Sequence, residues 1–279
     1  MTRHPRIVVR AVTWNLFHGR DFPPDPSLFT LRSRLLRLTE RNRTHAQVNR
    51  PLLREFGEVL ARQEWDVALL QEAPPGWLDP LCAATGAAGV LTLTSRNRLE
   101  GLRAALARLN PDLVASNEGG SNQLLVRPPW RVAGSREYTL TRRPERRRML
   151  FASLDGPGGR RLAVANLHGA TGHGPEASGQ VIAAAERALD WAGGVPLVFG
   201  GDLNLRPRRA PETYEHLERR LGLSAPADRH ALDHLLTNGL RPLQAPRALP
   251  DGAREVPDGR GRVIRLSDHP LVAGGFEVE

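Results

Sequence analysis

Short apolar runs alternate along the chain with longer segments in which apolar residues recur every three or four positions. The runs at 7–13, 67–70, 123–126, 149–154, 162–167, 197–199, 234–236, 263–265 and 275–278 are rich in Val, Leu, Ile and Phe. Gly, Pro, Asn or Asp bounds them, which is the pattern of strands. The spacing predicts helices over 28–39, 51–63, 99–109, 175–191 and 211–221. In the fourth, Val181, Ala185 and Leu189 form a stripe beside Ile182, with Pro175 suited to the first turn and Gly193-Gly194 to the end. In the second, Leu52, Phe56, Val59 and Leu60 form the stripe and Pro51 suits the start. Strands interspersed with helices predict a layered α/β domain. The turn-like Asp155-Gly156-Pro157-Gly158-Gly159 between two runs argues against a wholly parallel sheet, so mixed sheets are expected. No repeat or low-complexity linker divides the chain, and residues 1–279 read as a single domain.

The polar residues that interrupt this pattern gather at the ends of the apolar runs. Trp14-Asn15 follows the first run and Gln71-Glu72 the second. Asn166 and His168 close another, Gly200-Gly201-Asp202-Leu203-Asn204 follows 195–199, and Ser267-Asp268-His269-Pro270 follows 263–266. Residues two apart in a strand face one side, so Asn166 and His168 should point together, as should Asp202 and Asn204 if the extended backbone persists. Pro270 places Asp268 and His269 on a turn. Strand ends along one sheet edge can converge on one pocket. The residue types fit phosphoester hydrolysis: carboxylates and amides suit Mg²⁺ or Mn²⁺, and imidazoles can donate to phosphate or relay a proton.

Taken in order, Thr13-Trp14-Asn15, Gln71-Glu72, Asn166-Leu167-His168, Gly201-Asp202-Leu203-Asn204 and Ser267-Asp268-His269 resemble the motifs of the endonuclease/exonuclease/phosphatase superfamily. The resemblance implies a four-layer α/β sandwich of two mixed β-sheets flanked by helices, with the site at one end. It also implies roles. Asn15, Glu72 and Asp268 would hold or flank the metal, Mg²⁺ or Mn²⁺. Asp202 would activate the attacking water, with Asn204 beside it. His168 and His269 would contact the scissile phosphate, and Asp233 would buttress His269. Asn122, Asn166 and Arg206 are expected to touch substrate. The resembling branches are the DNase-like and sphingomyelinase-like ones. Phe17 stands where abasic-site repair enzymes commonly carry an acid.

Composition adds less. The chain of 279 residues carries a formal net charge of +9, and every basic residue other than histidine is arginine. That points to compositional bias as much as to function, although positive charge favours polyanionic partners. Arg206, Arg208 and Arg209 follow the Asp202–Asn204 motif, whereas Arg142-Arg143 and Arg146-Arg147-Arg148 read as a solvated face. His18, His173 and His216 read as loop or surface residues, and Trp14 as core. Cys82 is the lone cysteine, which excludes an intrachain disulfide and suits the cytoplasm. No apolar run could span a bilayer, no separate leader precedes the first strand, and no obligate protein partner is indicated. The expected activity is metal-dependent hydrolysis of a phosphodiester, with nucleic acid as substrate. The alternative is a phosphatase or lipid phosphodiesterase acting on a smaller phosphoester. A silent polyanion-binding module is disfavoured because the polar set is complete.

Overall fold

The structure, a computed structural model, describes residues 7–30, 36, 38–94, 120–142, 146–172 and 174–278. The helix expected over 99–109, half of that expected over 28–39, Arg143 and His173 lie outside these residues. In chain order the strands are β1 (Ile7–Asn15), β2 (Glu40–Arg41), β3 (Ala46–Gln47), β4 (Val67–Ala73), β5 (Ala88–Leu93), β6 (Ser121–Val126) and β7 (Arg131–Thr141). There follow β8 (Arg147–Asp155), β9 (Arg161–His168), β10 (Leu197–Asp202), β11 (Asp233–Asn238), β12 (Leu240–Ala248), β13 (Glu255–Pro257), β14 (Val263–Arg265) and β15 (Val272–Val278). The longer helices are α1 (Leu53–Arg62), α2 (Leu78–Thr85), α3 (Pro175–Ala192) and α4 (Pro211–Arg219).

Two mixed sheets carry the fold. One has the order β12-β15-β1-β4-β6-β5 and the other β11-β10-β9-β8-β7. The pairs β1–β4 and β9–β10 are parallel, and the other pairs within these sheets are antiparallel. Strand periodicity sorts each central strand between two cores. Val9, Ala11, Val67, Leu69, Val164, Val198 and Leu235 fill the layer between the sheets. Val12, Trp14, Ala68 and Leu70 pack outward against Phe56, Val59, Leu60 and Leu81 of α1 and α2. Ala163, Ala165, Leu197 and Phe199 pack outward against Val181, Ala184, Ala185, Tyr214 and Leu217 of α3 and α4. The result is the four-layer α/β/β/α sandwich, with both mixed sheets as expected.

The details correct the sequence pattern in two ways. The helix expected from Pro51 starts at Leu53, so the proline precedes it. The strands β5, β7 and β12 and the helix α2 had no clear apolar run. All three of these strands lie at sheet edges, where solvent on one side removes the need for one. Pro242 and Pro246 within β12 are tolerated for the same reason, since an edge strand has ladder positions that need no donor.

Candidate active site

The layer between the sheets opens at one end, and the unusual polar residues occupy its last positions. On β1 the inter-sheet face continues from Val9 and Ala11 to Asn15; on β9 it continues from Val164 to Asn166 and His168; on β10 it runs from Val198 to Asp202. β11 runs antiparallel to β10, so its first residue, Asp233, arrives at the same edge opposite Asp202. His168 is the partner of Asp202 on the other side. Glu72 is the exception. Alternation along β4 would turn it toward the helices, but a register shift between Leu70 and Ala73 and a positive φ of 48° at Glu72 redirect it. Left-handed backbone at a glutamate is uncommon and marks a position held by its surroundings.

Asp202 lies at the centre. Its Oδ2 accepts hydrogen bonds from Asn15 Nδ2 (3.0 Å) and Asn204 Nδ2 (3.4 Å), and its Oδ1 accepts from the Asn204 backbone N–H (2.9 Å). The extended backbone does not persist to Asn204, whose φ is 53°; the turn itself brings the asparagine back onto Asp202. Burial, with the charge of Asp233 second, raises the Asp202 pKa. Asn15 is held in turn, its Oδ1 accepting from Phe17 N–H at 2.9 Å.

The two imidazoles differ in charge. Arg147 donates from Nη1 to Nδ1 of His168 at 2.9 Å, which leaves the proton on Nε2. Nε2 faces Glu72 Oε1 and Asp202 Oδ2, each 3.6 Å away. Burial and the Arg147 charge push the His168 pKa down to about 3, so the ring is neutral. His269 donates from Nδ1 to Asp233 Oδ2 at 2.7 Å, and its Nε2 lies 3.8 Å from Asp202 Oδ2. Burial opposes the cation there, but Asp233, Asp202 and Asp268 outweigh it and raise the pKa to about 10. The backbone around His269 is pinned as well. Its N–H donates to Ser267 Oγ (3.0 Å), that hydroxyl donates to the Asn15 carbonyl (2.6 Å), and Trp14 Nε1 donates to the His269 carbonyl (3.1 Å).

Glu72 is partly exposed, with His18 Nε2 3.2 Å from its Oε2. Burial works against its ionisation, yet the imidazoles of His168 and His18 and the Asn15 amide hold it below the ordinary carboxylate range. Asp268 borders the same opening, 4.0 Å from His269 Nε2, with its pKa raised chiefly by burial. Oxygen donors from the buried Asn15, the partly exposed Glu72 and the exposed Asp268 are a donor set suited to a hard divalent cation. The facing ligand atoms of Asp202, Asp233 and His269 also lie within 4.8 Å of one another. Asp233 Oδ2 and His269 Nδ1 pair with each other, which makes a hydrogen-bonded dyad, while the buried Oδ1 of Asp233 has no partner among the described residues.

The remaining expected residues make no hydrogen bond to this cluster among the described residues. Asn166 faces the inter-sheet layer with His168 but one rung deeper. Its Oδ1 accepts from Gln71 Nε2 (2.7 Å) and its Nδ2 donates to the carbonyls of Leu70 (2.9 Å) and Gln123 (2.8 Å). It staples one sheet to the other, and these partners inside the fold take up its amide. Asn122 donates to the Arg148 carbonyl at 2.8 Å, while its buried Oδ1 has no partner among the described residues. Arg206 lines a cleft of about 500 Å³ that begins at Asp268 and His269, with its Nε on the His230 carbonyl at 3.1 Å. Arg147 and His18 are the site residues that sequence reasoning missed. The first sat among arginines taken as solvated; the second had only its nearness to Asn15 to recommend it.

The model of the endonuclease/exonuclease/phosphatase family matches residues 12–269, from the first strand to the final histidine. The chain belongs to this family and is a phosphoester hydrolase. No curated protein matches it in sequence. Among solved structures, an endonuclease/exonuclease/phosphatase family protein from Bacteroides thetaiotaomicron superposes with a TM-score of 0.66 at 12% identity, covering 99% of this chain and 100% of that one. The catalytic domain of human Nocturnin, with a bound sulfate anion, gives 0.59 at 20% identity over 97% of each chain. A mannosyl-6-phosphatase from Bacteroides thetaiotaomicron gives 0.62 at 12% identity, covering 95% and 98% respectively. These likenesses are of fold. Among the described residues no helix is long and apolar enough to cross a membrane.

Proposed function

We propose that the protein is a metal-dependent phosphodiesterase that cleaves nucleic acid, with residues 1–279 as one catalytic domain working in the cytoplasm. The observation that carries the reading is Asp202, buried between two asparagine donors and flanked by one neutral and one cationic imidazole. A buried carboxylate with a raised pKa is suited to orient water and take its proton. Asn15 and Asn204 fix the direction in which it faces. His269, kept cationic by Asp233, donates to a non-bridging phosphate oxygen as charge builds there, and His168 donates through Nε2–H without adding charge. Glu72 and Asp268, with Asn15, would hold Mg²⁺ or Mn²⁺; such an ion neutralises phosphate charge and makes bound water more acidic.

Nucleic acid is favoured by the net charge of +9 and by Arg206 and Arg247 in the cleft beside the site. The bounded shape of that cleft supports a second reading, a phosphatase or lipid phosphodiesterase acting on a smaller phosphoester. Hydrolysis of plasmid DNA, RNA, sphingomyelin and inositol phosphates, each with Mg²⁺ and Mn²⁺, separates the two. Metal-dependent cleavage of DNA or RNA is the expected result. Turnover of only a lipid or small ester would reverse the ranking.

A further inference from the structure

Phe22 lines the cleft beside Asp268 and His269, yet 39% of it is exposed. An aromatic side chain left open at the mouth of a catalytic site is not ordinary core packing. The ring is nevertheless held. Its backbone N–H donates to the Arg265 carbonyl at 2.8 Å, and the preceding residue, Asp21, bridges to Leu266. Phe17 meets the ring edge-on with centroids 5.8 Å apart, and Phe29 lies 5.2 Å away. Phe17 is itself covered by the Arg20 guanidinium, 4.1 Å from its centroid. An ordered aromatic run thus leads from the Asn15 turn to Phe22, the member of the run that lines the cleft.

Cations lie across the same cleft. Arg206 is fixed through Nε by the His230 carbonyl, and neither Arg206 nor the exposed Arg247 has an ion pair among the described residues. Of the acids lining the cleft, Asp233 accepts from His269 Nδ1, Asp228 accepts from the His230 N–H through Oδ1 at 2.7 Å, and Asp268 borders the proposed metal position. A volume of about 500 Å³ admits one nucleoside unit.

We infer that this cleft is a nucleotide subsite in which Phe22 stacks on the base next to the scissile phosphate while Arg206 and Arg247 hold the adjoining phosphate. The inference rests on the nucleic-acid reading above and narrows it. A base inside a duplex has both faces covered by its neighbours, so the site takes single strands or frayed ends.

The test compares wild type, Phe22→Ala and Phe22→Trp on one oligonucleotide, made as DNA and as RNA. Each is offered single-stranded, annealed to its complement, and with one abasic residue moved through every position. Wild type should prefer the single strand, and an abasic residue at one position beside the cut should weaken cleavage. Phe22→Ala should raise KM about tenfold on the intact strand, as loss of one base–aromatic stack does, and Phe22→Trp should restore it. With the base missing at the sensitive position, Phe22→Ala and wild type should cleave alike, which a merely structural defect would not produce. An unchanged KM in Phe22→Ala, equal losses on intact and abasic strands, or a flat abasic scan in an active wild type would overturn the subsite alone. A wild type that cleaves no oligonucleotide with either metal would overturn the nucleic-acid reading and the subsite with it.

Discussion

At His168 a guanidinium faces Nδ1; at His269 a carboxylate does, and the protonation of the two rings follows from that difference. The raised pKa of His269, about 10 against an ordinary 6.5, means that pairing favours the protonated ring. Its stabilising contribution is complete below pH 6.5 and lost as pH rises through about 10. Asp233→Asn keeps an acceptor for Nδ1–H but removes the anion. The alkaline limb of the kcat/KM profile should therefore move from about pH 10 toward neutrality. An unmoved limb would show that His269 is not the acid in question. Asp233, a polar residue at the head of an apolar run, was legible in the sequence. Arg147 was not, because arginine occurs on so many surfaces of this chain that no single one stands out before the fold is known.

The sheets show why some elements were legible and others were not. Buried central strands need apolar residues on both faces, and β1, β4, β8, β9 and β10 declare themselves accordingly. The edge strands β5, β7 and β12 carry no such demand. The bend that aims Glu72 into the site was also hidden, since nothing in Gln71-Glu72-Ala73 distinguishes a kinked strand end from a straight one. Asn166 is a polar residue in a catalytic-looking motif whose partners lie between the sheets. Leu70 and Gln123 offer it their carbonyls, and Gln71 its amide. Asn166→Leu should therefore destabilise the protein by about 2 kcal/mol in urea unfolding, the cost of leaving such groups unpaired in an apolar layer. A loss below about 0.5 kcal/mol would show that the staple contributes little.

For the molecule as a whole, net charge says less than the arrangement of acids. Glu72, Asp202 and Asp268 gather at one end of the inter-sheet layer, where loss of solvation raises the pKa of the two aspartates. A divalent ion that binds only this folded edge must stabilise the fold, by about 2.7 kcal/mol at a hundredfold excess over its Kd. Mg²⁺ or Mn²⁺ should raise the melting temperature of wild type and leave that of Glu72→Gln nearly unchanged; an equal rise in both would move the metal elsewhere. The family, the layered fold and the strand-end cluster were legible because each rests on local pattern in sequence order. The cleft was not, because Phe22, Arg206 and Arg247 meet only in space. The most direct test of the account is metal-dependent phosphoester hydrolysis by Asp202→Asn, which keeps the shape of the side chain and removes the base. The rate constant should fall by about a thousandfold with folding intact. Hydrolysis within about tenfold of wild type would contradict the central role given to Asp202.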